Sequence, residues 1–176
     1  MFLSLLLTHL GAPHSVSRHK RTQSPNAGFT LLELLIVIVI TGILSAIALP
    51  SFLNQRTKAQ ETEGKAYIGA MNRAQQAHYA VYQEFTASMD DLDLGIRRQT
   101  SLYEYSVKKT DDRLVTNKAR SQNPDLRSYA GVVSSSATQM NVMLCRSTQK
   151  GTDTVGNGSV TDQALSCPPQ GYEPMQ

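Results

Sequence analysis

Two places in this chain carry residue types whose spacing could do chemistry. The first is the Gly28–Phe29 bond, a small residue followed by a large apolar one, with Arg18, Lys20 and Arg21 upstream. It stands at the entry to an apolar run and reads as a point where a peptidase cuts the chain. The second is Glu33. From Phe29 to Leu49 there are 21 residues, and Glu33 is the only charged one. A carboxylate inside such a run costs roughly 2.5–3.5 kcal/mol on insertion scales. Keeping it implies a use, and the use open to a buried anion is to meet a cation. The alternative is a Glu that snorkels to the interface near the helix end. The element that must position both features is a helix, because 21 apolar residues are what an α-helix needs to cross a bilayer core.

Gly28-Phe29-Thr30-Leu31-Leu32-Glu33, closed by Pro50 after the run, resembles the processing motif of type IV prepilins. The match is tight over residues 28–56. A looser likeness to cyanobacterial pilins continues through Lys65–Ala77. The resemblance implies cleavage after Gly28 by a prepilin peptidase and N-methylation of the new terminus, Phe29, by the same enzyme. It also implies that Glu33 pairs with the amine on Phe29 of a neighbouring subunit. That amine is cationic near neutral pH, with a reference pKa of roughly 8. Subunits sliding past one another then prefer the register in which the charges meet, so the pair specifies alignment more than it adds stability.

Composition agrees with removal of residues 1–28. Of 17 Lys and Arg, three precede Gly28, and the other fourteen face fourteen Asp and Glu. The mature chain is formally neutral, so the basic balance is no argument for nucleic-acid binding. The leader begins Met1-Phe2-Leu3-Ser4-Leu5-Leu6-Leu7 and is longer and more apolar than the family's usual one. A short secretory segment, a long leader and an early start codon all fit. Cys145 and Cys167 are an even pair in an exported chain, read as a disulfide worth roughly 3 kcal/mol. The pair also resembles the C-terminal disulfide loop of many pilins.

Other chemistry falls away. His78 is the only histidine after Gly28, so a thiol nucleophile would lack a base. Asp90, Asp91 and Asp93 have oxygen ligands for Ca²⁺ but not EF-hand spacing, and read as a solvated turn with Gly95. No phosphate loop or zinc spacing occurs. The chain reads as a substrate of enzymes rather than an enzyme, without a cofactor.

After Pro50 helical spacing persists. Ala59, Ala66, Ala70, Ala74, Ala77 and Val81 recur at intervals of three, four and seven. They are expected to pack on the head, with Lys58, Glu61, Lys65, Asn72, Arg73 and Gln76 facing water. One helix is therefore expected from about Thr30 to Tyr82, bent at Pro50, where the hydrogen bond to the Ala46 carbonyl is lost. Gly42 weakens it eight residues earlier. The stretch between is either a place that unwinds on packing or one more membrane helix that tolerates Gly and Pro. Tyr103 to Lys108 alternates as a half-buried strand, and Arg127–Ser134 and Met140–Cys145 are two more. Ser134-Ser135-Ser136-Ala137 is expected to join them. Gly151 to Ser159 reads as a loop, with Asn157-Gly158-Ser159 a turn rather than a glycosylation sequon.

The expected fold is α+β: a long N-terminal helix packed on a small antiparallel sheet with a disulfide loop. The divisions are a leader (1–28), a transmembrane and assembly half of the helix (29–50), an amphipathic half (51–82) and a β-rich head (83–176). By resemblance the function is structural: a homopolymeric surface filament for motility, adhesion or DNA uptake. Lipid is the partner before assembly, and an inner-membrane platform with ATPases assembles the filament, with other pilins as neighbours. No direct nucleic-acid site is identified. The alternatives are a type II secretion pseudopilin and a signal-anchored periplasmic binding domain.

Overall fold

The computed structural model describes residues 29–161, 164–169 and 171–175. Gly28 and the leader lie outside them. The chain divides into two units, residues 1–43 and 44–176. One α-helix, α1 (Leu31–Tyr82), supplies the described part of the first unit and continues into the second without interruption at Pro50. It stops at Gln83, which adopts a left-handed conformation (φ 58°) and donates its N–H to Tyr79 O at 2.8 Å. A glutamine in that conformation ends the helix without the glycine that usually takes this position.

In the second unit the sheet has the order β1-β2-β3-β4-β7, all antiparallel: β1 (Tyr103–Asp111), β2 (Leu114–Ser121), β3 (Arg127–Ser135), β4 (Met140–Lys150) and β7 (Tyr172–Pro174). A separate hairpin, β5 (Ser159–Thr161) and β6 (Ala164–Ser166), lies within the disulfide loop. The three expected strands are present as β1, β3 and β4. β2 and β7 were not expected. β2 hides because it is buried on both faces and therefore does not alternate, and because three of its buried positions, Thr116, Asn117 and Ser121, are polar.

The α1 face that meets the sheet is not the alanine stripe. Glu61, Gly64, Ile68, Met71, Asn72 and Gln75 are buried, whereas Ala59, Ala66, Ala77 and Val81 are exposed. Glu61 and Asn72, expected to face water, face the head. The physical reason is pairing. Glu61 accepts from the Arg127 N–H (3.1 Å) and the Tyr129 hydroxyl (3.2 Å), and Asn72 Oδ1 accepts from Asn117 Nδ2 at 2.8 Å. A buried polar group with partners costs little, so hydrophobic periodicity alone misassigns such a face.

Two glycines let the layers approach. A Cβ on Gly64 would stand 2.9 Å from the Tyr103 ring and 3.0 Å from that of Tyr129. A Cβ on Gly131 of β3 would stand 2.1 Å from Asn72 Oδ1 and 2.6 Å from Ile68 Cγ2. Around them Ile68, Met71, Tyr103, Tyr105, Ala119, Leu126 and Tyr129 form the main core. Gln75 fastens the chain after the helix, donating to Thr86 O (2.8 Å) and accepting from Thr86 N–H (3.1 Å). The acidic link is a short 3-10 turn, Asp90–Leu92, followed by Asp93 at φ 48° and Gly95 at φ 61°.

The opposite face of the sheet is covered by the disulfide loop. Cys145 and Cys167 are bonded, with their Cα atoms 5.8 Å apart, and pack with Leu114, Ala130, Val132 and Val155. Residues 152–158 run as irregular chain with no turn at Gly-Asn-Gly. The glycines there serve closeness: a Cβ on Gly156 would meet Pro168 at 3.1 Å, and one on Gly158 would meet Val132 at 2.2 Å.

Candidate functional site

Thr30 and Glu33 form a reciprocal cap at the start of α1. The Thr30 hydroxyl accepts from the Glu33 N–H at 3.1 Å, and Glu33 Oε2 accepts from the Thr30 N–H at 3.2 Å and the Thr30 hydroxyl at 3.1 Å. This is the capping box, Thr-x-x-Glu, which satisfies orphan donors of the first helical turn. It also holds the carboxylate at the positive end of the helix dipole. The Thr-x-x-Glu spacing is itself a sequence signature of this cap, and here it sits inside an apolar run. The structure places Glu33 four residues after Phe29, exposed and held by its own chain.

From Phe29 to Leu53 the large apolar side chains are exposed among the described residues: Phe29 is 84% exposed, Ile40 51% and Ile47 73%. Together they make an exposed apolar surface far beyond what a soluble monomer carries, which marks an interface with lipid or protein. Length and apolarity suffice for this part of α1 to cross a membrane. Nothing lies within 4 Å of the position a Gly42 Cβ would take, so the glycine leaves open space beside the helix. Thr41 turns its hydroxyl back to Val37 O (2.8 Å) and Ile38 O (3.1 Å), which hides its polar group from an apolar surrounding.

The remaining features of interest do not converge into a reactive centre. His78 Nδ1 lies 2.9 Å from Glu84 O, and its ring packs on Tyr82. Asp90 pairs with Arg98, and Asp91 accepts from Thr86. Among the described residues no group of acidic, histidine or cysteine side chains is arranged to hold a metal ion. Tyr103, Tyr105 and Tyr129 have their hydroxyl pKa values raised well above the ordinary range. Burial is the main cause, and the nearby carboxylates of Glu61 and Glu63 add to it.

Residues 23–49 match the prokaryotic N-terminal methylation motif, and residues 61–168, more than half the chain, match the family described as type IV pilin-like G and H. The chain belongs to the type IV pilin family. It is 32% identical over 90 residues to the type IV major pilin protein PilA of Myxococcus xanthus, covering 51% of this chain and 40% of that one. It is 33% identical over 98 residues to the type IV major pilin protein PilE of Neisseria gonorrhoeae (54% and 58%). It is 32% identical over 85 residues to type II secretion system core protein G of Aeromonas hydrophila (48% and 57%). This pilin thus spans about half the length of these curated relatives. The long helix on an antiparallel sheet, closed by the Cys145–Cys167 disulfide, is the α+β arrangement expected of such a chain.

Proposed function

We propose that this pilin is cut after Gly28, methylated at Phe29 and polymerised into a type IV pilus. The observation that carries the reading is the uncovered apolar surface of Phe29–Leu53, with one carboxylate capped at its N-terminal end. Lipid satisfies that surface before assembly, and neighbouring helices satisfy it in a filament. Glu33 is ready for the second state. Its carboxylate rests on donors of Thr30, the residue next to Phe29. An ammonium group from a neighbouring subunit competes with them as a stronger partner, because charged pairs bond more tightly than neutral ones. The precursor then resides in the inner membrane with its head outside the cytoplasm. A prepilin peptidase and an ATPase-driven platform act on it, and the product is a surface filament used in motility, adhesion or DNA uptake. The role is structural, and the helix regions 29–50 and 51–82 divide anchoring from support of the head.

A pseudopilin shares the motif and the helix. The match to the pilin-like family over residues 61–168 and the likeness to major pilins favour the pilus. The test is Gly28→Ser. Precursor should accumulate in the membrane and surface filaments should vanish; normal filaments from that variant would overturn the reading. Glu33→Gln should leave cleavage intact and reduce filament yield.

A further inference from the structure

Asn157-Gly158 is a sequence in which the backbone nitrogen of the glycine can attack the asparagine side chain. The glycine has no side chain to hinder that attack. In this step the Gly158 N bonds to Asn157 Cγ, the bond from Cγ to the side-chain NH₂ breaks, and the amide leaves as ammonia with the Gly158 proton. Water then opens the resulting succinimide. Opening at one carbonyl gives Asp; opening at the other gives isoaspartate, with an extra methylene in the main chain. The net reaction consumes water and converts a neutral amide to a carboxylate.

The fold obstructs this reaction at its nucleophile. The Gly158 N–H is buried and donates to Thr116 Oγ1 at 3.1 Å, 42 residues away in β2. Thr116 is fully buried and stands directly opposite Val132 in the β2–β3 register. Gly158 is pressed onto that same pair, since a Cβ there would fall 2.2 Å from Val132 Cγ2. The nitrogen is therefore desolvated, hydrogen-bonded and fixed in place, whereas the Asn157 side chain is exposed. The close approach also explains the glycine after Asn157: only glycine fits over Val132.

We propose that Asn157 is a latent deamidation site, held off by the Gly158–Thr116 bond and released when the disulfide loop lifts from the sheet. The reaction is a one-way latch. An isoaspartyl link lengthens the backbone by one atom beside a contact that leaves no room for a Cβ. A loop that has reacted to isoaspartate does not reseat. The modification thus records that the Cys145–Cys167 loop has opened, by reduction or by unfolding.

The experiment uses the full chain in detergent at mildly alkaline pH, with peptide mapping by mass spectrometry at Asn157. The oxidised wild type should keep Asn157 intact over a period in which the dithiothreitol-reduced chain converts. Thr116→Val should speed conversion in the oxidised protein roughly fivefold, the equilibrium weight of one hydrogen bond, and Thr116→Ser should restore the wild-type rate. Asn157→Gln confirms the site by abolishing the mass change there. Oxidised wild type converting as fast as reduced chain would overturn the proposal, as would Thr116→Val with wild-type kinetics and an intact sheet by circular dichroism. If Thr116→Val fails to fold, hydrogen exchange of the Gly158 amide in wild type decides. Protection as strong as that of the β2 amides supports the latch, and exchange at an unprotected rate refutes it.

Discussion

The two parts of α1 handle surface in opposite ways. Between Phe29 and Leu53 the apolar side chains are exposed, and the single carboxylate is satisfied by its own chain. Between Glu61 and Gln75 polar side chains are buried: Glu61, Asn72 and Gln75 each meet a partner from the head. Glu63, half-buried, accepts from the Thr100 and Tyr105 hydroxyls. One part is finished by the fold, and the other waits for lipid or for other subunits. Burial therefore depends on which partners the fold supplies, and a polar residue with two hydrogen bonds is as sure a core residue as an isoleucine.

Substitutions that attack the finished part should destabilise the head. Gly131→Val is the most severe, because its side chain would occupy the space of Asn72 and Ile68. Overpacking of this kind costs about 3 kcal/mol or more, read as a lost or strongly shifted urea transition of the full chain in detergent. Alkali should come next. Tyr103, Tyr105 and Tyr129 have hydroxyl pKa values raised in the fold, chiefly by burial. An acid whose folded pKa is raised stabilises the fold fully below its unfolded pKa and loses that contribution as pH rises above it. Stability should accordingly fall above about pH 10, the ordinary tyrosine value. The share of tyrosinate absorbance lost on replacing Tyr103, Tyr105 and Tyr129 with Phe should be the share that appears together with loss of circular dichroism rather than before it.

Gln75→Ala tests the polar clamp alone. It leaves the buried Thr86 N–H and C=O without their partner, an expected loss of about 1–3 kcal/mol. Ile40→Ala is the contrasting change in the unfinished part. Its side chain is half exposed, so the urea midpoint should hold within about 0.5 kcal/mol while filament yield falls. A large stability loss from Ile40→Ala, or none from Gln75→Ala, would break the contrast.

The sequence showed these two parts unequally. The first half of α1 was legible because its signal is compositional: 21 residues with one charge permit little else. Strand β1 was legible from alternation, and β3 and β4 from their apolar and β-branched residues, β3 being buried on both faces with Val132 and Val133 at its centre. β2 was not, because Asn72 approaches Asn117 from the helix side and Gly158 approaches Thr116 from the loop side. Burial on both faces erases the alternation on which a strand reading depends. The docking face of the second half differs from the expected one because the alanine spacing is periodic too, and only the head decides which of two stripes it uses. Gly64 and Gly131 had no visible role until the approach of the layers was seen. The Gly-Asn-Gly stretch looked like a turn because glycine serves turns and tight contacts alike, and here contact with Val132 and Pro168 is the use.

The most direct test of the whole account is an intact mass of this protein taken from filaments sheared off the cell surface, set against the membrane fraction. The account predicts, in the sheared fraction, the mass of methylated Phe29 through Gln176 less the two hydrogens of the Cys145–Cys167 bond. A full-length mass in every fraction, or a mature mass confined to the membrane, would contradict it.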